Sequence, residues 1–380
     1  MHIRYIAISA LDIISLAIVI GALATNLWIV PEGARESFHR RLWRLTGSGL
    51  AALTISSFVL LVGRILEMSR EPLRDVGHWL PLVLRETPFG HIWLIRPAML
   101  IIAWAAWLMG RRPARQRATG FLILIAVAVI AFTRSATGHP ADQGQWTAPE
   151  WVDFIHLMTA SVWAGGLFAM TVAIFPFLPK SGISSATRIA LVGNLSSVAT
   201  IALAGILVTG ILSAYHYVGS FAALRDSAYG HILLVKLTLV AVAVGLGAAN
   251  RFLFVPRIRA GAVPPGTIPA LAHESAARPL SLLIRSVAIE TLFLMAVLIA
   301  AAALLHGMPP REMAHSMGGT VARGSQTPRP IVGRLEDARL EGASWMRLRP
   351  AISTVRYGVL RARAGDARNA FPLSSFKIPL

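Results

Sequence analysis

Long apolar stretches alternate along the chain with short segments that collect Arg, Lys and other polar residues. A helix needs roughly 20 apolar residues to cross a hydrocarbon core about 30 Å thick. Eight stretches meet this length, so the pattern predicts an all-α polytopic membrane protein with about eight transmembrane helices. The predicted helices cover 3–30, 45–66, 91–109, 119–135, 150–176, 190–215, 230–252 and 283–306. The first is too long for a signal peptide and lacks a small-residue cleavage site, so we interpret it as a spanning helix.

Basic residues are unevenly shared between the connections, and this predicts the orientation of the helices. The connections 31–44, 110–118, 177–189 and 251–285 hold fifteen Lys and Arg residues, whereas the alternate connections hold five. Loops rich in Lys and Arg stay in the cytoplasm. We therefore expect these four connections to be cytoplasmic and, with eight helices, both termini to face outward.

Two short patterns recur in the second half of the chain. Residues 89–96 and 229–236 share the order aromatic, Gly, His, Ile, followed by Leu and a basic residue at matching positions, with an offset of 140. Gly21-Ala22-Leu23 similarly resembles Gly165-Gly166-Leu167. The patterns predict a 4+4 parallel duplication, in which repeats of one orientation are related by an axis along the membrane normal. Chance similarity between apolar helices is the alternative.

The duplication defines the predicted domains. They are a first four-helix membrane repeat over 1–135, a second over 136–306, and a basic tail over 307–380. The tail has many Pro, Gly and Ser residues and no stretch of spanning length, so we expect it to be mostly disordered.

The composition agrees with a lipid-facing surface and narrows the chemistry. Only 14% of the 380 residues are charged, against about 25% in soluble domains. The formal charge of +18 lies between apolar blocks rather than along one face, which argues against a nucleic-acid partner. The absence of cysteine excludes disulfides and thiolate metal sites, but eleven His and eleven Met residues leave other metal chemistry open.

Histidine is the residue type with the most uneven placement. In the predicted orientation, nine of the eleven histidines lie outside or in the outer halves of helices, and only His39 and His273 lie on the cytoplasmic side. The nine are His2, His78, His91, His139, His156, His216, His231, His306 and His315. A general preference of imidazole for interfaces would populate both sides equally. Because imidazole binds Cu, Zn, Ni and Fe, and thioether sulfur favours Cu(I), the asymmetry predicts metal handling on the outer face.

The candidate metal ligands lie at the outer ends of the fifth and eighth helices. Asp153 and His156 are one turn apart and share a helix face with Trp163. They could bind one metal ion together, or the carboxylate could orient the imidazole; a hydrogen bond between packed helices is the alternative. The other candidates are His139 before the fifth helix, and His306, Met308, Met313, His315 and Met317 at and after the end of the eighth. For the last group, a chance cluster in a low-complexity tail is the alternative.

Ionisable residues inside a membrane are costly and are candidates for functional sites. Asp12, Arg96, Lys236 and Glu290 lie within predicted helices. Arg96 and Lys236 are close enough to the outer edge to snorkel, and we expect Glu290 to pair with Arg251 at the inner boundary. Purely structural ion pairs are the alternative to a role in transport.

Several motifs of the second half occur together in a known membrane family. They are Thr137-Gly138-His139, His156-Leu157, 163–167, 209–212, 218–224, 229–231 with Lys236, Ala249-Asn250-Arg251-Phe252, and 283–287 with Glu290. With these motifs the chain resembles the bacterial copper resistance protein D family, known as CopD or PcoD. Over 1–134 the resemblance is limited to the eight-helix layout.

The resemblance implies a bacterial inner-membrane protein, not an enzyme, that takes copper from the periplasm toward the cytoplasm. It also implies a periplasmic copper chaperone of the CopC type as a partner beside the lipid bilayer. The copper ion would be Cu(I) or Cu(II). On this interpretation the residues that capture copper on the outer face are His139, His156 and His306. The Met and His residues after the eighth helix would act as a relay, and the path would be lined by Asp12, Asp153 and Glu290.

Two other functions stay open at the level of the sequence. One is a membrane haem protein, in which facing helices supply paired axial histidines. The other is a non-transporting scaffold or sensor that docks a periplasmic copper protein.

Overall fold

The computed structural model describes residues 2–69, 72–112, 115–137, 147–217, 221–260 and 269–307, which are helical apart from short turns and contain no strand. Eight helices in this part of the chain are long and apolar enough to cross a membrane. They are Tyr5–Ile29, Glu32–Ser69, Pro88–Met109, Gln116–Ser135, Ala148–Leu178, Ser185–His216, Ala228–Ile258 and Pro279–Leu304. The predicted all-α membrane architecture is therefore confirmed, and each predicted helix overlaps one observed span. The predicted disorder of the tail concerns residues outside this description.

The described residues form twelve α-helices and several tighter or wider turns, and all of these helices except α3 and α9 belong to the eight spans. The helices are α1 His2–Ala24, α2 Glu32–Ser69, α3 Val76–Glu86, α4 Pro88–Trp93, α5 Ile95–Met109, α6 Gln116–Ser135, α7 Ala148–Ala169, α8 Ser185–Tyr217, α9 Phe221–Asp226, α10 Ala228–Ala249, α11 Val255–Ala260 and α12 Pro269–Leu304. Short 3₁₀ turns occupy Leu73–Asp75 and Phe175–Lys180. Three helices, α1, α7 and α10, continue into single π-helical turns at Thr25–Ile29, Met170–Ile174 and Asn250–Phe254. Such turns are frequent at functional sites.

Segment 31–44, which we predicted to be a connection, is helical instead, because α2 already begins at Glu32. Ala34, Phe38 and Leu42 recur every four residues and are buried. The polar stretch therefore packs one apolar face as a helix does. Apolar length marks the part of a helix that lies in the membrane, and it misses a helix that continues beyond the headgroups.

Helices α1 and α7 form the centre of the bundle. In each, 67% of the most apolar stretch is buried inside the protein. They cross at Gly21 and Gly165, where a Cβ atom on either glycine would overlap the backbone of the other helix. Glycine permits this close approach because it has no side chain. Gly21 and Gly165 occupy equivalent positions in the two predicted repeats. If the repeats are related by a two-fold axis, equivalent residues close to that axis contact each other. The crossing supports the 4+4 duplication, which stays a prediction.

Two hydrophobic cores lie around this crossing. The first joins α1 to α2, α5 and α6 through residues such as Leu16, Leu50, Leu100 and Ile123. The second joins the other face of α1 to α7, α8, α10 and α12. By contrast, only 6% of the most apolar stretch of Ala228–Ile258 is buried, so α10 presents most of its surface to lipid. The charged residues of the membrane region can then be assigned to one core or the other.

The third and seventh spans begin in the same way, as the recurring pattern predicts locally. The hydroxyls of Thr87 and Ser227 accept hydrogen bonds from the amides of Gly90 and Gly230, at 3.0 and 2.9 Å. These contacts cap the helix starts. Each glycine lies against the backbone of the preceding short helix, where a Cβ atom would collide. All of these positions are 140 residues apart, so this part of the repeat is a structural as well as a sequence match.

Candidate functional site

Five of the predicted metal ligands lie outside the described residues. They are His139, Met308, Met313, His315 and Met317. Their role as ligands stays a prediction. The structure does place His156, Asp153 and His306, and it also places the predicted polar residues of the membrane helices.

His156 lies on α7 and faces α8, and its contact with Thr209 indicates which ring nitrogen carries the proton. Its Nδ1 atom is 2.9 Å from the hydroxyl of Thr209. That hydroxyl has one proton, which it donates to the carbonyl oxygen of Gly205 at 2.6 Å. The Ile206 carbonyl lies on the same side of the hydroxyl, 3.3 Å away. A neutral imidazole is therefore the donor at Nδ1, and its Nε2 atom keeps the lone pair that a metal ion requires.

Asp153 is held by a different helix. Its Oδ2 atom accepts a hydrogen bond from the hydroxyl of Ser135 on α6, at 2.7 Å. The charge of Asp153 also acts on Arg134 and on Lys236. Asp153 and His156 share a face of α7 but have separate partners, so the contacts match the predicted alternative of hydrogen bonds between packed helices.

His306 closes the outer end of α12 against α1. Its Nε2 atom is 2.9 Å from the hydroxyl of Ser9. Its ring lies 6.5 Å from the ring of Tyr5, centre to centre. The side chain is exposed. Within the described residues no group of three or more His, Asp or Glu side chains is close enough to hold a metal ion. The copper ligand set therefore stays a prediction.

The first core encloses a carboxylate that is shared by two arginines. Asp12 on α1 is 0% exposed. Its Oδ2 atom is 3.0 Å from Arg96 on α5 and 2.6 Å from Arg134 on α6, and its Oδ1 atom accepts from Ser56 on α2 at 3.0 Å. One buried carboxylate thus connects α1, α2, α5 and α6, which belong to the four membrane spans of the first half. Two positive charges against one negative charge leave this cluster with a net charge of +1.

The cluster corrects two expectations. Arg96 does not snorkel to the outer edge. It is 2% exposed and donates to Asp12, which matches the alternative of a structural ion pair. Arg134 was counted only as one of the few basic residues of an outer connection, although it makes the shortest contact to Asp12. One sequence signal could have identified Arg134. It is a basic residue in the last turn of a membrane helix, and another membrane helix of the same protein contains a carboxylate.

Among the described residues, Glu290 on α12 has no comparable charged partner. It is 3% exposed. Its Oε2 atom accepts from the Asn250 amide at 2.8 Å, and its Oε1 atom accepts from the indole of Trp163 at 3.3 Å. The predicted pair with Arg251 is wrong, because the Arg251 guanidinium donates to Ser196 and Thr200 on α8 instead. Asn250 and Arg251 are adjacent at the start of a π-helical turn; the amide of Asn250 is buried against Glu290, and Arg251 is exposed.

A cavity of about 320 Å³ lies beside Glu290, between α7, α8, α10 and α12. Buried Glu290, Asn250 and Trp163 belong to its lining, and so do the exposed Arg251 and Thr200. The rest of the lining is mostly apolar, with residues such as Leu167, Leu195, Leu203, Val244 and Leu283. The predicted orientation puts this cavity in the cytoplasmic half of the membrane, because Arg251 belongs to a connection that is rich in basic residues.

Two family models match the chain and cover well over half of it. The model for the copper resistance protein D-like N-terminal domain matches residues 1–148, and the model for copper resistance protein D matches residues 189–304. The match extends to the first half, where the sequence alone offered only the layout of the helices.

Three curated proteins resemble the chain at low identity. Copper transport protein CutJ of Bacillus subtilis (strain 168) is 27% identical over 257 residues, which are 65% of this chain and 46% of that protein. Copper resistance protein D of Pseudomonas syringae pv. tomato is 27% identical over 218 residues, or 56% and 69% of the two chains. Inner membrane protein YebZ of Escherichia coli (strain K12) is 25% identical over 262 residues, or 67% and 86%. The chain thus spans about half the length of CutJ. No solved structure matches significantly.

Proposed function

Since the chain belongs to the copper resistance protein D family, we propose that it moves copper across the bacterial inner membrane, from the periplasmic side toward the cytoplasm. The names of two relatives, a copper transport protein and a copper resistance protein, support copper as the cargo. The inner-membrane relative supports the location. A periplasmic chaperone of the CopC type is the proposed donor.

The observation that carries the proposal is the way His156 is held. Thr209 leaves the imidazole with its proton on Nδ1 and its lone pair on Nε2, which is the form that binds a metal. The side chain is half-buried in the outer half of α7. Copper captured there would be held by a ring that is already oriented, so binding would require little reorganisation.

The remaining ligands follow the predictions from sequence. We assign His139 and His306 to the same capture step, and Met308, Met313, His315 and Met317 to a relay that supplies copper in either oxidation state. Asp12, Asp153 and Glu290 would line the path inward. Of these, Asp12 already has two arginine partners. It would therefore hold the helices of the path in place rather than bind copper.

The test is copper accumulation in a strain that lacks other copper importers. Expression of the chain should raise cellular copper, measured by mass spectrometry, and His156→Ala should abolish most of that rise. His39→Ala is the matched control, because His39 lies on the predicted cytoplasmic side and its ring forms a hydrogen bond to the Glu36 carbonyl one turn away on the same helix. Unchanged accumulation in His156→Ala would remove this residue from the path. An expressed wild-type chain without any effect on copper would favour the scaffold.

A second variant tests the tautomer itself. Thr209→Val keeps the volume at this position but removes the acceptor of the Nδ1 proton, so copper affinity should fall while the fold is kept. Metal affinities typically fall 10–100-fold, roughly, when such a supporting partner is lost. The absorption spectrum of the purified protein provides an independent check, because an intense Soret band would assign the histidines to haem and refute the copper ligands.

A further inference from the structure

The second core contains a carboxyl group, Glu290. Among the described residues it lacks the arginine partners that balance the charge of Asp12 in the first core. Glu290 is 3% exposed and lies near the middle of its membrane span, Pro279–Leu304. In the part of the chain that the structure describes, no Lys, Arg or His forms an ion pair with it. Both of its hydrogen-bond donors, Asn250 and Trp163, are neutral. Two neutral donors do not offset the cost of an ionised carboxylate in the membrane.

The partner of Glu290 has an unused acceptor. Asn250 is 8% exposed, and while its Nδ2 atom donates to Glu290, its buried Oδ1 atom accepts no hydrogen bond from any residue that the structure describes. A neutral carboxylic acid has one O–H donor in addition to its acceptors. An amide that gives one hydrogen bond to the acid and receives the acid proton on its own oxygen satisfies both groups. The arrangement therefore fits a protonated Glu290 better than an ionised one.

The cavity beside Glu290 provides access for that proton. Its volume of about 320 Å³ has room for several water molecules. Gly247 keeps the space next to Oε1 open, since a Cβ atom there would lie 3.2 Å from this oxygen. Glu290 and Arg251 are the titratable groups in the described lining; α7 contributes Trp163, and α8 contributes the hydroxyls of Ser196 and Thr200. Arg251 is exposed, and its guanidinium donates to Ser196 and Thr200.

We propose that Glu290 is a proton-exchange site, which takes up and releases a proton through this cavity and couples that exchange to copper movement. A proton from cavity water joins a Glu290 carboxylate oxygen, and the Asn250 carbonyl oxygen accepts the new O–H; release reverses both steps. The coupling rests on the proposed copper transport, whereas the binding of the proton does not. The two parts are therefore tested separately.

Infrared difference spectroscopy of the purified chain in lipid nanodiscs tests the binding step. Between acidic and alkaline pH, the wild-type protein should gain and lose the C=O stretching band of a protonated carboxyl group. Glu290→Gln, which is permanently neutral and of equal size, should lose that band. Glu36→Gln, the same change at an exposed position, should keep it. Asn250→Leu should move the band to higher frequency, because the acceptor of the acid proton is gone, and it tests the site even if Glu290→Gln does not fold.

Three results would overturn the binding step. They are a band that is identical in wild type and Glu290→Gln, a Glu290 band that does not change with pH, and a band that disappears when Na⁺ is added at constant pH. The last result would assign the site to a metal cation instead.

Proteoliposomes that contain a pH-sensitive dye test the coupling. Copper movement by the wild-type chain should be accompanied by a proton flux, and an imposed pH gradient should change its rate several-fold. Glu290→Gln should remove the proton flux and the gradient dependence, while copper binding at the outer face is kept. A gradient-dependent rate in Glu290→Gln would refute the coupling. Absence of copper movement in the wild-type chain would refute the transport function, and the infrared result would still decide whether Glu290 exchanges protons.

Discussion

The sharpest prediction about the fold concerns Asp12, because one carboxylate holds two buried arginines. Asp12→Asn keeps the size and the ability to hydrogen-bond with Ser56, but it removes the only carboxylate in the described residues that forms an ion pair with Arg96 and Arg134; the charge of Asp153 acts on Arg134 without forming such a pair. The charge of the cluster rises from +1 to +2. We expect the variant to be strongly destabilised, and the reason is electrostatic rather than steric.

The distances set the magnitude. At 3.0 and 2.6 Å, each contact has a gross attraction of about 6 kcal/mol for an effective dielectric constant of about 20. Desolvation of the ions offsets much of this attraction. Removing one partner of a buried pair typically destabilises a protein by about 3–5 kcal/mol. Since Asp12 serves two arginines, we expect the free energy of unfolding to fall at the upper end of that range.

Arg134→Gln is the matched comparison. It removes the shortest contact but leaves Asp12 paired with Arg96 and bonded to Ser56, and the cluster becomes neutral. We expect a loss of at most about 1.5–3 kcal/mol, which is the usual contribution of one hydrogen bond to a charged group. Relief of the repulsion between the two arginines reduces that loss further.

Denaturant titration of the detergent-purified proteins, followed by tryptophan fluorescence, measures both variants in one assay. The yield of monodisperse protein on size-exclusion chromatography provides a second readout if Asp12→Asn cannot be purified. The reasoning would be refuted if Asp12→Asn were as stable as the wild type, or if Arg134→Gln were the more damaging change.

Two further predictions concern backbone contacts. Gly165→Val should abolish folded expression, because a Cβ atom there would overlap the carbonyl group of Ala17 on α1. Gly33→Val should be tolerated, since nothing lies within 4 Å of a Cβ atom at that position. Equal yields of the two variants on size-exclusion chromatography would show that the crossing of α1 and α7 is not tight. Thr87→Ala and Ser227→Ala should each lower stability by about 1 kcal/mol, the usual effect of losing a helix cap. Serine at position 87 and threonine at position 227 should restore it in the same denaturant titration, and a failure of either rescue would mean that the hydroxyl is not the relevant group.

The membrane spans could be predicted from sequence because a single physical requirement, apolar length, decides them. Apolar length does not predict where the polar ends of helices lie. For this reason the start of α2 at Glu32 was not predicted. Local motifs were informative where they repeat. The offset of 140 residues related the starts of the third and seventh spans, and the structure adds the equivalent caps at Thr87 and Ser227.

Polar partners inside the membrane were harder to predict because they depend on which helices are neighbours. Arg134 follows Asp12 by 122 residues, and Asn250 precedes Glu290 by 40. Charge alone favoured Arg251 for Glu290, but consecutive side chains of a helix point in different directions, so Asn250 contacts Glu290 while Arg251 contacts α8. The position of Thr209 opposite His156 likewise follows from the packing of α7 on α8, which no sequence pattern encodes.

The two cores place their acidic groups in opposite electrostatic settings, and this difference gives a direct test of the division between structure and function. Asp12 is held ionised by two arginines, so its charge is part of the fold. Glu290 has neutral donors and a cavity beside it, so its charge is not. Neutralisation should therefore have different effects on stability: Asp12→Asn should lower the denaturation midpoint strongly, whereas Glu290→Gln should leave it unchanged or raise it. If Glu290→Gln were as destabilising as Asp12→Asn, Glu290 would be a permanently ionised structural group, and it could not exchange a proton.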